Sequence, residues 1–163
     1  MRAWYDVSLA DLEGNSRRAD EKGVRTSQNA ISRLIEREVA RGMASQNIVL
    51  AGFSQGGAIA LQTGLRYPQR LAGIMALSTY VPLAESLPQE AAAANFKTPI
   101  FMAHGTHDPV VPYAMGSGSR ELLGKMGYNV EWRDYPMEHS VSLEEVRDIS
   151  AWLRKTICAS PRI

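Results

Sequence analysis

The sequence contains one cysteine, Cys158, so no internal disulfide can brace the fold, and a reducing, cytoplasmic setting is expected. No apolar run approaches the ~20 residues of a membrane-spanning helix. The opening, Met1-Arg2-Ala3-Trp4-Tyr5-Asp6, lacks the apolar segment of a secretion signal. Neither sign of charge predominates: 18 basic and 17 acidic residues leave a net charge of +1. No basic block stands out, so a nucleic-acid surface has no electrostatic footprint. The most polar stretch, residues 13–22, mixes both signs and reads as a solvated loop or helix start. Only His104, His107 and His139 offer imidazole chemistry near neutral pH.

What is present is ordinary in amount and ordered in pattern. The chain has 163 residues, 45% hydrophobic and 21% charged, which fits one domain over residues 1–163 with a sizeable core. There is no internal repeat and no linker. Residues 1–15 read as irregular. From about residue 20 to 41, Val24, Ile31, Leu34, Ile35 and Val39 recur at helical spacing, and Gly42 is placed to end that helix. Residues 48–53 form a short apolar run, followed at once by a helical pattern that Pro68 stops. Apolar runs at 71–79 and 99–104 read as further buried strands, with a fourth strand at 128–135 and a helix at 113–126 closed by Gly127. A long connection, 80–98, separates two of the strands; a helix through Ala91–Ala94 is expected inside it. Ser142-Leu143-Glu144-Glu145 is a capping-box pattern opening a last helix. Its buried face would be Leu143, Val146, Ile149, Trp152, Leu153 and Ile157, with Cys158 as a small core residue. Apolar strands alternating with helices predict a three-layer α/β fold with a mainly parallel sheet.

The organising motif is Gly52-Phe53-Ser54-Gln55-Gly56, a G-x-S-x-G pattern between a strand and a helix. In that context the serine sits on a sharp strand-to-helix turn with its hydroxyl exposed, and small neighbours let strand and helix nearly touch. A serine hydroxyl is a weak nucleophile unless a base assists it. His139, in a loop beyond the last strand, is the candidate base. Asp108 lies just past the end of the third strand, where Pro109 favours an extended backbone, and is the candidate to orient the imidazole. Asp134 is the competing carboxylate; it falls within a strand rather than a loop. The chain order Ser54, Asp108, His139 differs from the orders of chymotrypsin-like and subtilisin-like enzymes and is that of α/β hydrolases. Asp148 reads as solvated, His104 as a strand-end residue with a structural hydrogen bond, and His107 as exposed or at the cleft edge.

His104, His107 and Asp108 also sit close enough in sequence to suggest a metal set. The H-x-x-x-H and paired-cysteine patterns of zinc sites are missing, so no metal and no cofactor are expected.

The segments Ala51-Gly-Phe-Ser-Gln-Gly-Gly-Ala58, Ala76-Leu-Ser-Thr-Tyr80, His104-Gly-Thr-His-Asp-Pro-Val-Val111 and Tyr135-Pro-Met-Glu-His139 together resemble the phospholipase/carboxylesterase group of α/β hydrolases, which includes bacterial carboxylesterases and acyl-protein thioesterases. The resemblance runs over nearly the whole chain. It implies an α/β-hydrolase fold and a triad of Ser54, Asp108 and His139. The Gln55 backbone N–H is then one oxyanion donor. The substrate would be a small ester or acyl thioester. The resemblance also implies an N-terminal section of several strands, preceding the Trp4-Tyr5-Asp6 segment, that carries a second oxyanion donor and has no counterpart here. The strand carrying Ser54 would then present an open apolar edge, which a homodimer would cover. An alternative expectation is an inactive or weakly active fragment of such a fold, acting at most as a binding module. A final departure is Glu138, where the family often has glycine before the histidine.

Overall fold

A computed structural model of the chain describes residues 4–6 and 20–158. The expectations for the irregular opening and the mixed-charge stretch fall mostly outside those residues. The first long element is helix α1, Glu21–Ala40. Asp20 caps it by accepting the Gly23 N–H at 2.8 Å, which satisfies one of the orphan donors of the first turn. Gly42 ends it with φ +97°: the Gly42 and Met43 N–H groups bond back to Val39 and Glu38 carbonyls, a Schellman closure that a left-handed residue makes possible.

Strand β1 (Val49–Phe53) leads through Ser54 into helix α2 (Gln55–Arg66). Strand β2 is Gly73–Leu77, the short helix α3 is Leu87–Glu90, and strand β3 is Ile100–Gly105. Helix α4 (Tyr113–Lys125), strand β4 (Val130–Tyr135) and helix α5 (Leu143–Cys158) complete the order. The four strands pair in parallel in the order β1-β2-β3-β4. All four therefore point the same way, and the loops that follow them gather at one end of the sheet.

The period of two along each strand divides the core into two layers. Ile74, Ala76, Ile100 and Met102 face Leu61 and Leu65 of α2 and Leu123 of α4. Met75, Leu77, Phe101 and Ala103 face Trp152, Ile149 and Leu153 of α5. Helix α1 is a second shell, packed on α2 through Ile31, Val24 and Ile59. This is the three-layer arrangement expected from the alternation of elements.

Several local expectations change. The strands are not apolar throughout: β2 and β3 are buried along their whole length, but β1 and β4 are edges and only partly covered. Leu34 is 49% exposed, while Ile31, Ile35 and Val39 of the same helix pack toward Tyr67, Leu71, Ile48 and Leu50. On α5, Leu143 is 79% exposed, and Val146 and Ile157 also face out. The sheet takes the face carrying Glu145, Ile149 and Trp152 instead, spaced i, i+4, i+7. The Cys158 side chain lies outside the described residues.

The connection from β2 to β3 is ordered by polar clamps rather than by a helix through its alanines. Ala91 and Ala92 are extended between α3 and a single 3₁₀ turn at Ala93–Asn95. Arg66 of α2, almost fully buried, donates to Glu90 at 2.6 Å and to the Leu83 carbonyl at 3.1 Å. Arg25 of α1 donates to the other Glu90 oxygen at 2.7 Å. Two guanidinium groups, with Ser86, hold the Glu90 carboxyl down to about 2. Buried Asn95 donates to the carbonyls of Tyr67 and Gln69 and accepts the Leu71 N–H.

Candidate active site

Ser54 is the one residue between β1 and α2. Its backbone has φ +55° and ψ −125°, a left-handed setting that costs a non-glycine residue on the order of 1–3 kcal/mol. Three features hold it there. Its N–H extends the sheet by donating to Leu77 at 2.9 Å, and its carbonyl accepts from Ala58 at 3.1 Å. Behind it, the strand and helix touch: a Cβ on Gly52 would stand 2.2 Å from the Gly56 carbonyl carbon and oxygen. Serine at a helix N-cap ordinarily spends its hydroxyl on a first-turn N–H; Ser54 makes no such cap bond. Its oxygen is thereby left for other work. The first-turn N–H groups of α2, that of Gln55 among them, have no intrahelical acceptor.

The Gln55 side chain has a role the sequence did not suggest. Its Nε2 donates to the Tyr5 carbonyl at 3.0 Å, and its Oε1 accepts the Trp4 N–H at 3.3 Å. It clips the segment of Trp4 and Tyr5 over the elbow, where the Tyr5 hydroxyl also meets that of Tyr80 at 2.9 Å. The Ser27 hydroxyl donates to the Trp4 carbonyl from α1.

Asp108 follows β3 in a tight loop and is buried. Its Oδ1 accepts the N–H groups of Val110 and Val111, each at 2.8 Å, the self-bonded turn that aspartate favours. That fixes the carboxylate and leaves Oδ2 facing His139, whose Nδ1 lies 2.7 Å away. A carboxylate can only accept, so the imidazole proton resides on Nδ1 and Nε2 keeps a lone pair. The Phe53 ring, next to Ser54 in sequence, packs against the same imidazole with centroids 4.6 Å apart. The residues before and after the β1–α2 turn, the loop after β3 and the loop after β4 thus converge at one end of the sheet.

The loop carrying His139 is seated on Gly105. A Cβ there would come within 2.3 Å of the Met137 carbonyl oxygen and 2.4 Å of that of Glu138. Glu138 itself accepts the Ser140 N–H through its carbonyl.

The remaining candidates are accounted for. Asp134 accepts from the Tyr113 hydroxyl at 2.6 Å and the Trp132 indole at 3.3 Å, and these bonds lower its pKa. It is committed away from His139. Asp148 is not simply solvated: it accepts from the Tyr135 hydroxyl at 2.8 Å. His104 is buried, and its Nε2 donates to the Val111 carbonyl at 2.9 Å, bracing the loop that presents Asp108. His107 is exposed, its Nδ1 3.3 Å from the Thr106 hydroxyl. Among the described residues no group of three or more His, Cys, Asp or Glu side chains could hold a metal ion. Ser78 and Thr79 belong to the Ala76–Tyr80 segment that carries the resemblance, and the sequence offered no individual role for either. Ser78 is a second strained residue, φ +47°, at the end of β2, and both hydroxyls are buried without a partner among the described residues.

A parallel sheet sandwiched by helices, with a strained serine elbow and a histidine–aspartate pair past the later strands, defines an α/β-hydrolase fold. Similarity to known proteins narrows this. The family described as Phospholipase/Carboxylesterase matches residues 1–157, and the chain belongs to that family. It is 45% identical to acyl-protein thioesterase 1 of Neurospora crassa, an alignment covering 96% of this chain and 66% of the relative. With acyl-protein thioesterase 1 of Gibberella zeae the identity is 39%, over 96% and 69%. The chain thus spans about two thirds of the length of these relatives. Among solved structures, SOBER1 of Arabidopsis thaliana superposes with a TM-score of 0.89 at 32% identity, covering 96% of this chain and 75% of that one. Esterase PE8 superposes at 0.81 and 26% identity, over 94% and 69%.

Proposed function

We propose that the protein is a serine hydrolase that cleaves carboxylic esters or acyl thioesters through an acyl-enzyme. Ser54 attacks the substrate carbonyl. His139 Nε2 takes the serine proton and returns it to the leaving alcohol or thiol. Asp108 keeps the imidazole in the tautomer that makes this transfer available and favours the imidazolium once formed. The Gln55 N–H, at the positive end of α2, donates to the developing oxyanion. Water, activated by the same histidine, then attacks the acyl-serine and releases the acid.

The observation that carries this reading is the 2.7 Å bond between Asp108 and His139 at the sheet end where Ser54 stands in its strained turn. The names of the relatives favour an acyl thioester borne on a protein as the physiological substrate, and the clamped β2–β3 connection supplies one wall for the acyl chain. No helix of the described residues is long and apolar enough to cross a membrane. A cytoplasmic setting, which the single cysteine suits, and a single domain are part of the proposal. Among the described residues β1 has one open edge, and a homodimer would cover it.

Turnover of a short p-nitrophenyl ester and of an acyl thioester tests the proposal. Both activities are expected, and both should vanish in Ser54→Ala. Turnover that survives this substitution would refute the assignment of Ser54, and a folded protein with no turnover would refute the proposal and favour a binding module.

A further inference from the structure

His104 lies near the end of β3 and is almost fully buried. Its imidazole sits in an aromatic box. The Trp132 ring of β4 stacks on it, 17° from parallel, and the Tyr113 ring at the start of α4 meets it edge-on. Helix α4 can approach only with a glycine opposite: a Cβ on Gly116 would lie 2.4 Å from Nδ1. Nδ1 has no hydrogen-bond partner among the described residues. As filler for an apolar box, an imidazole with one nitrogen unpaired is a costly choice. A leucine or a phenylalanine would serve packing alone. What the imidazole adds is its other nitrogen.

Nε2 closes a ring of contacts around the carboxylate of Asp108. It lies 2.9 Å from the Val111 carbonyl, which can only accept, so Nε2 carries the proton. The N–H of the same Val111 donates to Oδ1 of Asp108 at 2.8 Å. Oδ2 of Asp108 lies 3.7 Å from His104 Nε2 and 2.7 Å from His139 Nδ1. The longer distance is no hydrogen bond, but it sets the N–H dipole of His104 beside the oxygen that faces His139. Two imidazoles thus flank one carboxylate oxygen: His139 is bonded to it, and His104 holds the turn that aims it.

We propose that His104 is a positioning residue of the triad, which through its Nε2–H keeps the Asp108 carboxylate in the orientation that bonds His139. This rests on the hydrolase reading above and adds to it a side chain that touches neither substrate nor nucleophile. Its effect passes through Asp108, as in a polar network whose members hold one another.

The test compares His104→Leu with His104→Gln. Leucine removes the donor; glutamine keeps an amide N–H for the Val111 carbonyl. Both lose the aromatic stack, so an effect of stability alone would be shared. The readouts are steady-state turnover of a short p-nitrophenyl ester and the low-field proton NMR signal of the His139 Nδ1–H. In His104→Leu, kcat should fall by about tenfold or more, as for a slightly misplaced catalytic group, with KM within about twofold. The NMR signal should broaden as the bond to Asp108 loosens. His104→Gln should restore most of kcat and a sharp signal. Added to Asp108→Asn, His104→Leu should cost less than about twofold further, because the two act through one carboxylate. Equal losses in the two variants, a change confined to KM, or the full loss repeated on Asp108→Asn would each overturn the proposal. So would an unaltered signal in His104→Leu, a readout that needs no turnover. A parent protein without turnover would count against the hydrolase reading instead, and the signal would still decide the role of His104.

Discussion

Oδ2 of Asp108 lies 2.7 Å from Nδ1 of His139 while Oδ1 of the same carboxylate accepts two backbone N–H groups. One oxygen anchors the side chain and the other sets the tautomer of the imidazole. Asp108→Asn keeps an oxygen for the loop but places an amide against His139, which favours the wrong tautomer. A fall in kcat on the order of 10³ to 10⁴-fold is expected, with the fold intact by circular dichroism. Asp134→Asn should leave kcat within a few-fold, because Asp134 is bound to Tyr113 and Trp132. Equal losses in the two variants would contradict the assignment.

Gly105 is the seat of the histidine loop. Gly105→Ala must push back the carbonyls of Met137 and Glu138, and His139 with them. Catalysis should fall by more than tenfold, since misplacing a catalytic group by about 1 Å costs on that scale or more. Gly118→Ala on α4 has open space around its Cβ and should be neutral in activity and slightly stabilising. Steady-state kinetics with thermal melts of both variants checks this pair.

Glu145 is fully buried, and neither carboxylate oxygen has a partner among the described residues. Burial pushes its pKa up to about 7 from 4.5. The folded state therefore holds a proton that the unfolded state has lost between those values. Its contribution is fully present below about 4.5 and is lost as pH rises to about 7, by on the order of 3 kcal/mol. Glu145→Gln should be more stable than the parent at pH 8 and should flatten this slope in urea titrations. A slope unchanged by the substitution would exclude Glu145 as its source.

Glu90 acts in the opposite sense. Its pKa is held down to about 2 by Arg25, with Arg66 and Ser86. Its contribution is present above about 4.5 and lost as pH falls through about 2. Glu90→Gln should melt lower at pH 7 and converge with the parent in acid. A constant gap in melting temperature from pH 7 to pH 2 would contradict the clamp.

The elbow was legible because a spacing of glycines around a serine, between an apolar run and a helical pattern, has few physical solutions. Asp108 and His139 were legible through their order along the chain and their loops at strand ends. Glu145 was not. As the fourth residue of Ser142-Leu-Glu-Glu it reads as half of a capping box, and Ser142 does accept its N–H at 3.1 Å. Its carboxylate is buried because the sheet selects the α5 face that holds Trp152 and Ile149, a choice made by tertiary packing and invisible in the periodicity. The same choice exposes Leu143 and Val146. The contact between Phe53 and His139 and the clip formed by Gln55 over Tyr5 join residues 86 and 50 positions apart in the sequence, where no local pattern can announce them.

The central claim is that Ser54 is an activated nucleophile. Its most direct measure is intact-mass and peptide mapping of the folded protein after reaction with a fluorophosphonate. The account predicts a single adduct on Ser54, absent in Ser54→Ala and formed far more slowly in His139→Ala. An adduct on another residue, or a folded protein that takes up none, would contradict it.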